Sequence, residues 1–275
     1  MAKAPHLIVF DSGLGGLTVY REVTRALPGA RYLYVADDAF FPYSGHAEAT
    51  LIDRVIALMG NLIATHAPDL VIIACNTAST LVLPQLRARF AVPFIGTVPA
   101  IKPACAASAT KRVSVLGTQA TVAREYTRAL IRDFANGADI TLVGSAALAS
   151  LAEAKLRGER VDDAAIGREL APCFVEADGR RTDTVVLACT HYPLLLDRLT
   201  ALAPWPVQFI DPAPAIARRA LELMGSRPSE PADAPAQILF TSGRPPSPAL
   251  SAALAGFGLG AVAPGQRFDT PPLSA

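Results

Sequence analysis

At 275 residues the chain can bury one large core or two smaller ones, and 51% hydrophobic against 18% charged residues excludes a disordered polymer. Lysine plus arginine (25) nearly balances aspartate plus glutamate (24), so a net charge of +1 gives no electrostatic reason to expect nucleic acid. Four cysteines (Cys75, Cys105, Cys173 and Cys189) make no disulfide framework and no CxxC metal pair, which points to reduced thiols in a cytoplasmic enzyme or binding protein.

The apolar run Leu7-Ile8-Val9-Phe10 is too short for a signal-peptide core, and no other stretch approaches a membrane span. It reads as the first strand. Val/Ile-rich segments at 31–36, 70–74, 94–96, 113–117, 140–143, 185–188, 207–210 and 237–240 read as further strands. Between the first two, Leu17, Tyr20, Val23 and Leu27 recur at helical spacing and stop at Pro28-Gly29. A longer helix is expected over Glu48–His66, ended by Ala67-Pro68. Cys105 falls in an Ala-rich helical stretch and Cys173 in a helix before Asp178-Gly179, and both read as core packing. The Pro/Ser/Ala/Glu-rich stretch 226–235 reads as a linker, and residues beyond about 260 as loosely held. Strands alternating with helical patterns predict an α/β protein with mainly parallel sheets flanked by helices.

The chain also repeats itself. Val71-Ile72-Ile73-Ala74-Cys75-Asn76-Thr77 resembles Val185-Val186-Leu187-Ala188-Cys189-Thr190-His191, at an offset of about 114 residues. Val92-Pro93-Phe94-Ile95 leads to Pro99-Ala100-Ile101 much as Val207-Gln208-Phe209-Ile210 leads to Pro214-Ala215-Ile216, at nearly the same offset. Two similar halves related by a pseudo-twofold axis are therefore expected, each carrying a cysteine at a strand end.

Ligands of parallel α/β sheets bind where strands end, because helix N-termini and free N–H groups gather there. Two thiols facing each other across such a crevice suit removal of a proton from one face of a carbon and its return to the other. A helix N-terminus lowers the thiol pKa from about 8.5, so a thiolate and a thiol can coexist near neutrality. Asp11-Ser12-Gly13-Leu14-Gly15-Gly16 follows the first strand; it lacks the spacing of a nucleotide fingerprint and reads as a loop for a small carboxylate. Asp11 caps the turn or tunes a thiol. Ser12, Asn76, Thr77, Thr118, Thr121 and Thr190 accumulate at the same strand ends, and together suit an amino acid's charged groups without a buried arginine. His191 is a candidate acid–base assistant, whereas His6, His46 and His66 read as surface or packing residues. None of the four lysines (Lys3, Lys102, Lys111, Lys155) follows a strand end, which argues against a Schiff-base cofactor.

Asp11-Ser12-Gly13-x-Gly15-Gly16, Phe41-Pro42-Tyr43, Ala74-Cys75-Asn76-Thr77-Ala78, Gly117-Thr118-x-x-Thr121 and Ala188-Cys189-Thr190-His191-Tyr192-Pro193, in that order, resemble the successive signatures of glutamate racemases. The resemblance runs from Leu7 to Phe240-Thr241-Ser242-Gly243. It implies two α/β domains with the active site between them, set here at 1–97 plus 212–265 and 98–211, with a tail at 266–275. It also implies glutamate as the small-molecule substrate, no cofactor, no metal, no membrane or nucleic-acid partner, and a homodimer as candidate assembly. Cys75 would take the proton from D-glutamate and Cys189 from L-glutamate, with Asp11, Glu153 and His191 assisting. Ser12, Pro42, Tyr43, Ser44, Gly45, Asn76, Thr77, Thr118, Thr121 and Thr190 would contact substrate, and the D-glutamate would feed bacterial peptidoglycan synthesis. The family usually has glycine directly after Pro-Tyr, and here Ser44 intervenes before Gly45. The rival readings are a sister racemase acting on aspartate or a hydantoin, and an amino-acid sensor that binds without exchanging the α-hydrogen.

Overall fold

The computed structural model describes residues 4–225 and 235–263. Strand β1 (His6–Asp11) leads through the glycine turn into helix α1 (Leu17–Ala26), then β2 (Arg31–Ala36). Helix α2 (Glu48–His66) buries Leu51, Val55, Leu58, Met59 and Leu62 on one face. Truncating any of these leucines or Met59 to alanine would cost about 2–5 kcal/mol. The helix ends where Ala67 adopts φ 42° and returns its N–H to the Ile63 carbonyl, because Pro68 cannot continue it. Then come β3 (Leu70–Ile73), α3 (Asn76–Arg89), β4 (Phe94–Gly96) and α4 (Ile101–Ala107).

A second series follows: β5 (Arg112–Thr118), α5 (Gln119–Ala123), α6 (Glu125–Phe134), β6 (Asp139–Ser145), α7 (Leu148–Leu156) and α8 (Asp163–Leu170). Next are the short antiparallel pair β7 (Glu176–Ala177) and β8 (Arg180–Arg181), then β9 (Thr184–Ala188), α9 (Leu196–Leu202) and β10 (Gln208–Ile210). Finally α10 (Ala213–Met224), β11 (Ala236–Phe240), α11 (Pro248–Gly256) and β12 (Leu259–Val262) return to the first sheet.

The two main sheets are parallel, ordered β12-β11-β2-β1-β3-β4 and β10-β9-β5-β6. Under the repeat's offset β3 corresponds to β9 and β4 to β10. Both sheets then share one strand order, β2-β1-β3-β4 and β6-β5-β9-β10. Each is covered on both faces, which is why its strands read as continuous apolar runs.

Two expectations change. Residues 259–262 are a strand paired with β11, and Leu259 is buried against the first core. Cys173 closes a 3₁₀ turn (Ala171–Cys173) after α8, because Pro172 cannot supply the N–H that would extend the helix. It is fully buried, like Cys105. The linker at 226–235, apart from Pro235, and the tail at 266–275 lie outside the described residues.

Candidate active site

The ends of β1, β3, β5 and β9 converge on one narrow cleft, lined by Ser12, Phe41–Ser44, Cys75–Thr77, Thr118, Ala149 and Cys189–His191. Both repeat cysteines open onto it, from opposite sheets. A larger cleft of about 570 Å³ beside β4 carries Arg87 and Arg219 but none of these strand-end groups. Chemistry, rather than size, selects the site.

Cys75 sits at the N-cap of α3, its carbonyl receiving the Ser79 N–H, and its Sγ lies 3.5 Å from Ser12 Oγ. Burial pushes this thiol up to about 12, the nearby Asp11 charge adds to the rise, and the Ala78 N–H only partly offsets it. The helix N-terminus was expected to lower the pKa, but desolvation wins for a side chain 5% exposed. Asp11 is itself fully buried and raised by desolvation, although Gly13 N–H donates to its Oδ2 at 3.0 Å.

Cys189 has a different setting. No α-helix begins beside it; the chain passes through Thr190-His191 into a 3₁₀ turn, Tyr192–Leu195. Its electrostatic partner is His191, whose Nδ1 lies 3.8 Å from the Cys189 Sγ while Nε2 lies 3.1 Å from Glu153 Oε1. The Glu153 carboxylate also accepts the Leu14 N–H at 2.9 Å and is gripped on Oε2 by Arg157 at 2.6 Å. Burial opposes charging His191, but Cys189, Glu153 and Asp11 outweigh it and hold its pKa well above 6.5. Burial likewise opposes ionising Glu153, yet His191 and Arg157 keep its pKa below the usual carboxylate value. The Gly15 N–H points at Nε2 as well, 3.1 Å away. A protonated nitrogen cannot accept that hydrogen, and the facing carboxylate decides for the charged ring.

These contacts change the reading of the glycine loop. Its N–H groups at Gly13, Leu14 and Gly15 already face Asp11, Glu153 and His191, so the carboxylate held by Leu14 is the protein's own. The glycines leave room for the other half: a Cβ on Gly13 would strike Glu153 Oε1, and one on Gly15 would lie 2.6 Å from the His191 backbone nitrogen.

The chain matches the model of the Asp/Glu/hydantoin racemase family over residues 10–220. It belongs to that family. It is 51% identical over 255 residues to the glutamate racemases of Brucella anthropi and Brucella abortus, with 92% of each chain covered. The Escherichia coli glutamate racemase, solved with L-glutamate and the activator UDP-MurNAc-Ala, superposes with a TM-score of 0.86 at 39% identity, covering 94% of this chain and 97% of that one. The Thermus thermophilus enzyme, with β-chloro-D-alanine, gives 0.70 at 31%, covering 95% and 96%.

Most of the racemase-site residues expected from sequence line the cleft, and three others stand behind it. Asp11 lies under the Ser12 turn, Glu153 behind His191, and Thr121 in a hydroxyl triangle with Thr77 and Thr118 at 2.9–3.3 Å. Gly45 is exposed and off the wall. Phe41, 5.4 Å ring to ring from His191, and Ala149 line it without having been selected. Ala149 follows the end of β6, so the strand-end rule would have found it. None of the described lining residues is an arginine, and the buried Arg54 stands outside the cleft, paired with Asp37.

One titration separates the histidines of this racemase. Ring NMR is expected to show His191 losing its proton well above pH 6.5, and His6 and His66, lowered mainly by burial, losing theirs below it. A raised folded-state pKa means that His191 stabilises the fold fully below its unfolded value of about 6.5, and that this is lost as pH rises through the folded value. A His191 that titrated with the other two would contradict the charged ring.

Proposed function

We propose that this racemase interconverts L- and D-glutamate without a cofactor, using Cys75 and Cys189 as opposed acid and base. The observation that carries the reading is two thiols at matching strand ends on one cleft, each with its own assistants. Ser12 and Asp11 attend Cys75; His191, backed by Glu153 and Arg157, attends Cys189.

From L-glutamate, Cys189 removes the α-proton as the anion that the imidazolium stabilises. Negative charge then develops on the substrate α-carboxylate, and Cys75, resting as a neutral thiol, delivers its proton to the opposite face. From D-glutamate the roles exchange. Ser12, Pro42, Tyr43, Ser44, Gly45, Asn76, Thr77, Thr118, Thr121 and Thr190 form or brace the substrate pocket. The cleft has an internal volume of only about 20 Å³, near that of one water, so glutamate enters by parting the two walls. Domains at 1–97 plus 212–265 and 98–211 give those walls separate bodies. The reading includes a cytoplasmic homodimer and supply of D-glutamate to peptidoglycan synthesis.

Asn76 supports an amino-acid ligand. The residue is 2% exposed and lines the cleft, and both its side-chain amide atoms lack a partner among the described residues. Asn76→Ala is expected to raise KM for glutamate about 10–100-fold, the loss of a hydrogen bond to a charged group. Thermal stability should hold or rise, because no internal bond is broken. A fall in the melting temperature with unchanged KM would mean that the amide serves the fold.

Purified, reduced protein, with no cofactor added, should take the circular dichroism of L-glutamate to zero and act on aspartate roughly 10–200-fold more slowly, the usual discrimination for one methylene. Faster turnover of aspartate would assign the sister activity. Saturable glutamate binding without loss of dichroism would assign the sensor.

A further inference from the structure

Two segments of the sequence meet behind the cleft with no role in the proton transfers: Asp37-Asp38, after β2, and Thr241-Ser242, after β11. Asp37 is fully buried, and four donors converge on its carboxylate. Oδ1 receives the Arg54 Nη2 and the Thr241 Oγ1, each at 2.6 Å; Oδ2 receives the Tyr43 hydroxyl at 2.6 Å and the Arg54 Nε at 3.0 Å. The Thr241 Oγ1 in turn accepts the Ala39 N–H at 3.3 Å, and Ser242 binds Asp38 through both its N–H and its hydroxyl.

This cluster grips the segment that forms one wall of the cleft, Phe41–Ser44. Tyr43 is held by its hydroxyl. Phe40, just before the wall, lies under the Arg54 guanidinium at 4.9 Å and stacks on His46, just after it, at 3.9 Å. Burial and Asp37 keep the Tyr43 hydroxyl protonated, and it is already spent on Asp37. What the wall offers a ligand is therefore its backbone and the Ser44 side chain, and its usefulness depends on where the cluster sets it.

Asp37 and Arg54 cancel each other's charge, so the pair exerts little pull on a distant anion. A buried pair of this kind is also weak evidence for stability. The geometry points to Thr241 as a positioning residue: it reaches from the end of β11 to lock Asp37, and through it the Phe41–Ser44 wall, in the substrate-binding position. This inference rests on the proposed glutamate racemase activity, and it gives the Phe240-Thr241-Ser242-Gly243 segment a task at the site.

Thr241→Val keeps the shape and removes the hydroxyl; Thr241→Ser keeps the hydroxyl. The wall carries neither thiol, so its displacement should act on binding more than on chemistry. For Thr241→Val we expect KM for glutamate to rise about five- to tenfold with kcat within about twofold of wild type. Amide hydrogen exchange over residues 38–46 should accelerate about tenfold, and Thr241→Ser should restore both. Unchanged KM and unchanged local exchange in Thr241→Val would overturn the inference. So would faster exchange spread through the whole chain with kcat and melting temperature falling together, since that marks a structural role. A wild-type protein inert towards glutamate would sink the activity instead, and the exchange comparison would still decide the role of Thr241.

Discussion

Cys75→Ala and Cys189→Ala are each expected to abolish net racemisation, by roughly 10³–10⁴-fold or more, the upper range for removing a positioned acid or base. Neither thiol anchors the fold. Both are free, and each substitution removes a single sulfur atom at the wall of the cleft, so the melting temperature should move by only a few degrees, about 1 kcal/mol. The two variants should differ in what remains. Cys189→Ala keeps the thiol for the D enantiomer, so residual α-deuteration should be confined to D-glutamate; Cys75→Ala should exchange only L-glutamate. Quantitative mass spectrometry of the separated enantiomers reads this directly. Equal residual exchange of both enantiomers in either variant would mean that one group serves both faces.

The second large effect concerns a residue with no side chain. Gly15→Ala would put a methyl group against the His191 ring and 2.6 Å from the His191 backbone nitrogen. The backbone cannot swing aside, so either the β1 turn or the Cys189-Thr190-His191 segment must shift. We expect a stability loss of about 1–3 kcal/mol or more from overpacking and a fall in kcat of about 10²-fold, since a displacement near 1 Å suffices for that. Gly60→Ala is the control. It lies within α2, where a Cβ would meet only Phe90 at an ordinary 3.8 Å, so it should keep full activity and gain a little stability. Gly15→Ala with wild-type kcat and melting temperature would show that the two halves do not approach as described.

How far each feature was legible follows from how local its causes are. β2, β4 and α2 fall where the sequence put them, because strands covered on both faces need unbroken apolar runs, and Ala67-Pro68 stops a helix wherever it occurs. The paired cysteines were legible through the internal repeat. The glycine loop was misread because the acceptor of its Leu14 N–H stands far away in sequence: Glu153 is 139 residues from Leu14. An N–H group that a ligand would occupy looks the same, in sequence, as one that the chain itself fills. Cys75 was expected to be lowered by its helix; how far the site is shut off from water, which raised it, is set by the opposing half. The Asp37 cluster joins residues 6, 17 and 204 positions apart, and no periodicity encodes such a meeting.

The central claim is that two separate groups handle the two faces of the α-carbon, and early isotope distribution tests it most directly. Wild-type protein is incubated with L-glutamate in deuterated buffer and quenched within the first few per cent of conversion, and each enantiomer is analysed for α-deuterium. Two opposed thiols predict D-glutamate carrying deuterium while the recovered L-glutamate keeps its protium, because the proton taken by Cys189 and the deuteron given by Cys75 never mix. Deuterium entering recovered L-glutamate as fast as it enters the product would contradict the account and leave a single base.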